Sequence, residues 1–170
     1  MEDMFRFADE LGPFKIIHIY EPSVDLRAIL VVDNIARGPA LGGVRMAPDV
    51  SAEECFRLAR AMTLKNAAAD IPFGGGKLVI YGDPRMPQEK KIQKLRTLAS
   101  ALRYTKEYIF APDMGTDEFC MACIKDEIGR AVGLPCGAGG IPLDEVGATG
   151  WGLAKSTEVA LQYCDFELNG

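Results

Sequence analysis

Short apolar, strand-like runs that alternate with segments of helical period predict a layered α/β fold. Two further observations confine that fold to one domain. The chain has 170 residues, and 48% hydrophobic with 25% charged residues is a globular balance. A chain of this size buries roughly 70% of its unfolded surface in a single core. No internal repeat and no low-complexity segment interrupts the alternation.

In chain order, residues 15–20 form the first apolar segment, closed by Glu21-Pro22. Residues 26–36 are a β-branched run too apolar for a strand with one wet face, which predicts a central strand. Gly38-Pro39 then breaks the chain before Leu41-Gly42-Gly43-Val44-Arg45-Met46. Ser51-Ala52-Glu53-Glu54 has the Ser-x-x-Glu form of a capping box and starts a long helix. On that helix Glu53, Arg57 and Arg60 share a solvated face, and Cys55, Leu58, Met62, Lys65 and Ala69 form the apolar stripe. Pro72-Phe73-Gly74-Gly75-Gly76 leads through Lys77 into a short strand, residues 78–81. Pro87 opens a helix whose buried side is Ile92, Leu95, Ala99 and Leu102. Residues 108–111 read as a strand ending at Pro112-Asp113. Thr116 or Asp117 caps a helix running to about Val132, where Gly133 stops it. A Gly/Pro-rich loop from Pro135 to Pro142 precedes a last helix, residues 148–163.

Charge and composition exclude several function classes. Nineteen basic against 24 acidic residues leave a net charge of −5, which argues against a nucleic-acid surface, because phosphate neutralisation needs clustered Lys and Arg. No apolar stretch approaches the ~18 residues of a membrane span, and Met1-Glu2-Asp3-Met4-Phe5-Arg6 lacks the basic-then-apolar order of a secretory leader. Five cysteines, an odd number, do not form a disulfide framework. The expectation is a soluble cytoplasmic protein with neither nucleic-acid nor membrane partners.

Two lysines and one aspartate carry the chemistry. Lys65 lies on the apolar stripe, where an ammonium must snorkel, find an anion or lose its proton. Lys77 follows three glycines that allow a tight turn and close approach to a ligand, a position suited to holding an anion or, if desolvated, to acting as a base. The segment is not a nucleotide phosphate loop, since Ile71 and Leu78 stand where that loop needs Gly and Ser or Thr. Asp113 lies where a strand meets a loop, the place at which ligands gather in layered α/β folds, although turn aspartates are common there too. The three together can bind a carboxylate and move protons on a neighbouring amine.

Other candidates carry less. Neither residues 147–152 nor 137–140 complete a dinucleotide Gly-x-Gly-x-x-Gly turn. Cys120 and Cys123 have no second ligand pair, so no metal is expected and the two are read as small packing residues. His18, the single histidine, fills a structural slot, and without a second histidine or a nucleophile a hydrolytic triad lacks support.

Gly38-Pro39-Ala40-Leu41-Gly42-Gly43-Val44-Arg45-Met46, Ala61-Met62-Thr63-Leu64-Lys65-Asn66-Ala67, Pro72-Phe73-Gly74-Gly75-Gly76-Lys77 and Ala111-Pro112-Asp113-Met114-Gly115-Thr116 resemble, in order, the successive motifs of the glutamate/leucine/phenylalanine/valine dehydrogenases. The paired lysines are twelve residues apart, as in that family. The resemblance runs from about Val31 to the C-terminus. It implies a three-layer α/β/α domain with a mixed sheet, residues 1–147, for substrate binding and homo-oligomerisation, in which a sheet edge pairs across subunits. Residues 148–170 would be the interdomain helix leading to a Rossmann domain that this chain does not contain, its first strand beginning near residues 166–170. The implied reaction is the oxidative deamination of an L-amino acid to its 2-oxo acid and ammonia with NAD or NADP, and the fragment alone should be inactive.

By the same resemblance Lys65 binds the substrate carboxylate beside the backbone of Gly42 and Gly43. Lys77 is the catalytic lysine, its pKa lowered by nearby positive charge and loss of water. Asp113 exchanges a proton with the substrate nitrogen, and Thr149 contacts the nicotinamide carboxamide. Leu41 stands where glutamate-specific members carry a lysine. With Met62 it favours branched-chain or aromatic substrates, because an unpaired buried carboxylate is strongly unfavourable. The alternative expectation is a catalytically silent oligomerisation module of the same descent.

Overall fold

The computed structural model describes residues 5–141, 143 and 145–165. The leader reading at Met1 to Met4, the loop end at Pro142 and the strand expected near Phe166 to Gly170 lie outside the described residues.

A mixed five-stranded sheet forms the middle layer. Its strands are β1 (Lys15–Glu21), β2 (Leu26–Asn34), β3 (Ala40–Ala47), β4 (Gly74–Tyr81) and β5 (Tyr108–Pro112), in the order β1-β2-β4-β3-β5. β1, β2 and β4 pair antiparallel, while β3 runs parallel to both β4 and β5. β2 is interior, as its apolar run predicts, but β4 is the middle strand. β2 stops at Asn34, two residues early, because the Asn34 side chain turns the backbone by accepting from Ala36 N at 2.9 Å.

Helix α1 (Ala52–Ala68) covers one face. α2 (Gln88–Ala101) and α3 (Glu118–Ile128) cover the other. The larger core lies under α2 and α3, where Leu30, Leu78, Ile80, Leu95, Leu98, Tyr108, Phe110, Met121 and Ile124 interlock. A smaller core of Ile29, Val31, Val50, Cys55, Ala59 and Val79 lies under α1. The architecture is the three-layer α/β/α sandwich expected. α4 (Ala148–Ala160) follows, with no buried residue among those described.

Several local expectations are corrected. Half of the capping box forms: Ser51 Oγ accepts from Glu54 N at 3.1 Å, whereas the Glu54 carboxylate turns to Arg45 instead. The α1 stripe that faces the sheet is Cys55, Ala59 and Asn66, and Lys65 is exposed. Arg60 leaves the solvated face to pair with buried Asp33 at 2.8 Å and with Asp9 at 2.6 Å. Thr63 Oγ1 donates to the same Asp33 at 2.6 Å. Pro87 is the cap residue of α2 rather than its first helical residue, and Lys94 and Leu98 join the buried side. α3 ends at Ile128 because Gly129 takes the left-handed conformation, φ 76°; Ala131 then bridges to Phe110 on the outer edge of β5.

The three glycines before Lys77 are strand residues, and none of them has a positive φ. Their smallness serves close packing instead. A Cβ on Gly75 would lie 2.0 Å from Thr63 N of α1, and one on Gly76 would lie 3.0 Å from the Tyr108 ring. The helix can therefore lie directly on the middle strand.

Candidate active site

Alternation along the strands puts Gly43 and Arg45 of β3, Lys77 of β4 and Asp113, just past β5, on the face that carries α1. α1 lies over β2 and β4 and reaches only the near side of β3. The β3–β5 half of that face has no helix over it among the described residues.

Lys77 is 5% exposed, and its ammonium contacts Asp113 Oδ2. The same oxygen accepts from Arg45 Nε at 3.3 Å, and Arg45 in turn reaches Glu54 of α1 at 2.6 Å. Two cations and two carboxylates thus form one chain from β4 to α1. Burial works to raise the Asp113 pKa, but Lys77, the Met114 N–H and Arg45 together bring it below the usual carboxylate value. Burial likewise disfavours the Arg45 cation, yet Glu54 and Asp113 raise its pKa overall.

The backbone makes room for this contact. A Cβ at Gly43 would stand 2.7 Å from Asp113 Cβ and 3.1 Å from Lys77 Nζ, so any side chain there would force the pair apart. The turn after Asp113 is tied to β3: Thr116 Oγ1 donates to Val44 O at 2.7 Å and accepts from Asp113 N at 3.1 Å. Gly115, φ 83°, lets that turn lie against Met46 O. Tyr108 OH donates to Gly42 O at 2.7 Å, bracing the two glycines from below.

Of the other candidates, Gly43 packs against this cluster. Lys65 is exposed, and among the described residues its ammonium has no ion pair. It follows Glu54 by eleven residues, about three helical turns, and so lies on the flank of α1 that overhangs the uncovered half of the sheet. The cation that shares the Asp113 carboxylate with Lys77 is Arg45. Leu41 and Met62 are half-buried, and Gly42 and Gly43 are buried. Asn66 binds the end of α1 to the strands, donating to Gly74 O at 2.7 Å and Leu41 O at 3.4 Å. Thr149 is exposed in the first turn of α4. Cys120 and Cys123 are buried, with burial pushing the Cys120 thiol up to about 11. His18 is exposed on β1 rather than filling a slot in the core.

Sequence reasoning missed Arg45, Glu54 and Asn66 as parts of the site. Arg45 could have been found: it lies two residues from Gly43, on the same strand face, and an arginine on a covered face needs a carboxylate.

Fold and cluster together define a layered α/β domain built around a buried lysine–carboxylate centre, an arrangement suited to acid–base chemistry. Residues 20–130 match the Glu/Leu/Phe/Val dehydrogenase dimerisation domain, and the chain belongs to that family. It is 35% identical over 145 residues to phenylalanine dehydrogenase of Thermoactinomyces intermedius, covering 82% of this chain and 39% of that protein. It is 32% identical over 165 residues to leucine dehydrogenase of Geobacillus stearothermophilus, covering 93% and 44%. Among solved structures, the hetero-hexameric glutamate dehydrogenase of Thermus thermophilus in its Leu-bound form superposes with a TM-score of 0.71 at 32% identity, over 76% of this chain and 36% of that one. L-tryptophan dehydrogenase of Nostoc punctiforme superposes with a TM-score of 0.65 at 27% identity, over 72% and 38%. The chain thus spans well under half the length of these relatives.

Proposed function

We propose that residues 1–147 are the substrate-binding and oligomerisation domain of an NAD(P)-dependent amino-acid dehydrogenase, and that residues 148–170 lead to the part that holds the dinucleotide. The observation that carries this reading is the buried Lys77–Asp113 contact, packed against a glycine that leaves space for nothing larger. The residues present fit one edge of a dinucleotide. Thr149 is exposed, with its hydroxyl unpartnered among the described residues, and can meet a carboxamide; no Gly-x-Gly-x-x-Gly turn is present to hold the pyrophosphate. A nicotinamide held beside Thr149 would supply the hydride acceptor for the substrate α-carbon.

This chain supplies the rest. Lys65, on the open flank of α1, holds the substrate α-carboxylate, with the Gly42–Gly43 backbone beside it. Lys77, in its unprotonated form, takes a proton from the water that attacks the imino carbon, and its burial keeps other water away. Asp113, ionised because its pKa is low, accepts and returns the proton of the substrate nitrogen as ammonia leaves. Leu41 and Met62 line the side-chain pocket. Leu41 offers no charge to a side-chain carboxylate, so the substrate is an L-amino acid with an apolar side chain. The protein works as a homo-oligomer.

The test uses the full-length product of the gene, purified and assayed for nicotinamide reduction on a panel of L-amino acids. Leucine, valine or phenylalanine should be turned over well ahead of glutamate. Glutamate as the best substrate would refute the role given to Leu41. An assembled protein that turns over none of them would favour a silent oligomerisation module.

A further inference from the structure

Glu54 departs from its local pattern. A capping box would turn its carboxylate back to the backbone N–H of Ser51, and the other half of that box does form, with Ser51 Oγ accepting from Glu54 N at 3.1 Å. The Glu54 carboxylate instead crosses to β3 and accepts from Arg45 at 2.6 Å, both side chains being half-buried. A local rule broken without local gain marks a residue that serves a site. The contact is shorter than the 3.3 Å from Arg45 Nε to Asp113 Oδ2. The guanidinium is therefore anchored on α1 and presented from there to Asp113.

The two oxygens of Asp113 are unlike. Lys77 Nζ and Arg45 Nε both make their closest approach to Oδ2, which leaves Oδ1 as the oxygen for the substrate nitrogen. The geometry assigns Glu54 as a positioning residue for the proposed reaction: through Arg45 it holds Asp113 with Oδ2 against the two cations and Oδ1 toward the substrate. A guanidinium is a planar fork of fixed shape, so fixing one arm at Glu54 fixes the Nε that meets Asp113. Glu54 and Lys65 also belong to one helix. The tie thus keeps the proton acceptor in register with the ammonium given to the substrate carboxylate. The assignment rests on the amino-acid dehydrogenase reading above and adds the residue that orients its acceptor.

The surroundings of Asp113 fix the sign of the expected pH effect. Its charged neighbours are Lys77 from β4, Arg45 from β3 and, behind Arg45, Glu54 from α1, together with the Met114 N–H. Cys55 of α1 and Tyr108 of β5 are kept neutral by burial, which pushes the thiol up to about 12 and raises the phenol well above its usual value. Glu54→Gln keeps an oxygen for Arg45 and removes only a negative charge. Asp113 then meets more net positive charge and stays ionised to lower pH.

The experiment measures kcat, KM and the pH profile of kcat/KM in the full-length enzyme. Glu54→Ala frees Arg45 and should lower kcat by roughly tenfold or more, toward the ~10²-fold that a 1 Å misplacement costs. KM should change little, because Lys65 is untouched. Glu54→Gln should recover most of the lost kcat, and its acid limb should move to lower pH by about half a unit, the scale of one charge roughly 7 Å away under solvent screening. Glu53→Gln removes a charge from the same first turn, but Glu53 pairs with Arg57, so neither kcat nor the limb should move. A limb that stays or rises in Glu54→Gln overturns the assignment, as does unchanged kcat in Glu54→Ala or an equal shift in Glu53→Gln. Each of these results, in an enzyme that turns over amino acids, leaves the dehydrogenase reading standing. An unsubstituted protein that turns over none overturns both.

Discussion

Lys77 and Lys65 sit twelve residues apart in the sequence and in opposite settings. Lys77 is 5% exposed, fixed by Asp113 on a middle strand. Lys65 is exposed on the open flank of α1, free of any ion pair among the described residues. Around Lys77 every neighbour is already in position: Gly43 makes room, Arg45 and Glu54 anchor the carboxylate, and Thr116 fastens the turn. Lys65 has no such partners among the described residues. On the proposed roles, the contrast teaches that the domain builds the proton-transfer half of the site by its own packing, while the half assigned to holding substrate stays open.

Variants can break or sharpen that contrast. The largest effect is expected from Asp113→Asn, which keeps the shape but removes the proton acceptor. In the full-length enzyme kcat should fall about 10²- to 10⁴-fold, the usual worth of a positioned general acid–base; a fall below tenfold in steady-state assays would return Asp113 to a structural role. Gly43→Ala comes next, because a Cβ 2.7 Å from Asp113 Cβ must push the pair apart. Misplacing reacting groups by ~1 Å costs on the order of 10²-fold, so kcat should drop by about that factor.

Arg45→Lys should act more gently and show in the pH profile. Asp113 is held below the usual carboxylate value by Lys77, the Met114 N–H and Arg45, working against burial. Weakening the Arg45 contribution lets its pKa rise, so the acid limb of kcat/KM should move to higher pH; an unmoved or lowered limb would contradict the arrangement. The smallest effect concerns stability. Lys65→Ala removes an exposed side chain without a partner and should change unfolding free energy by no more than ~0.5 kcal/mol in denaturant titration.

The same contrast explains what the sequence revealed and what it hid. β1, β2, β5 and the second half of β4 were legible because their apolar runs are dense, whereas the glycines of β3 and of early β4 hid those strand segments. Lys77, Asp113 and the glycines around them were legible as family motifs before any geometry was known. The orientation of α1 was not. Its sheet-facing stripe includes Asn66, and Thr63 beside it is half-buried, because each finds a partner inside: Asn66 on Gly74 O at 2.7 Å and Thr63 on Asp33 at 2.6 Å. A count of apolar positions cannot see polar residues buried by hydrogen bonds, so it turned Lys65 inward. The end of α3 was misread for a related reason. Ala131 is apolar, as a helix face would be, but it serves the edge of β5 after Gly129 has already turned the chain. The glycine triplet was read as a turn, whereas its glycines are small because a helix and a tyrosine ring lie against them.

The most direct test of the account compares Lys77→Ala and Lys65→Ala side by side in the full-length enzyme, separating kcat from KM for the best amino-acid substrate. The account predicts that Lys77→Ala loses kcat by about 10²- to 10⁴-fold, and that Lys65→Ala acts chiefly by raising KM. Near-normal kcat in Lys77→Ala, or the two effects exchanged, would contradict it.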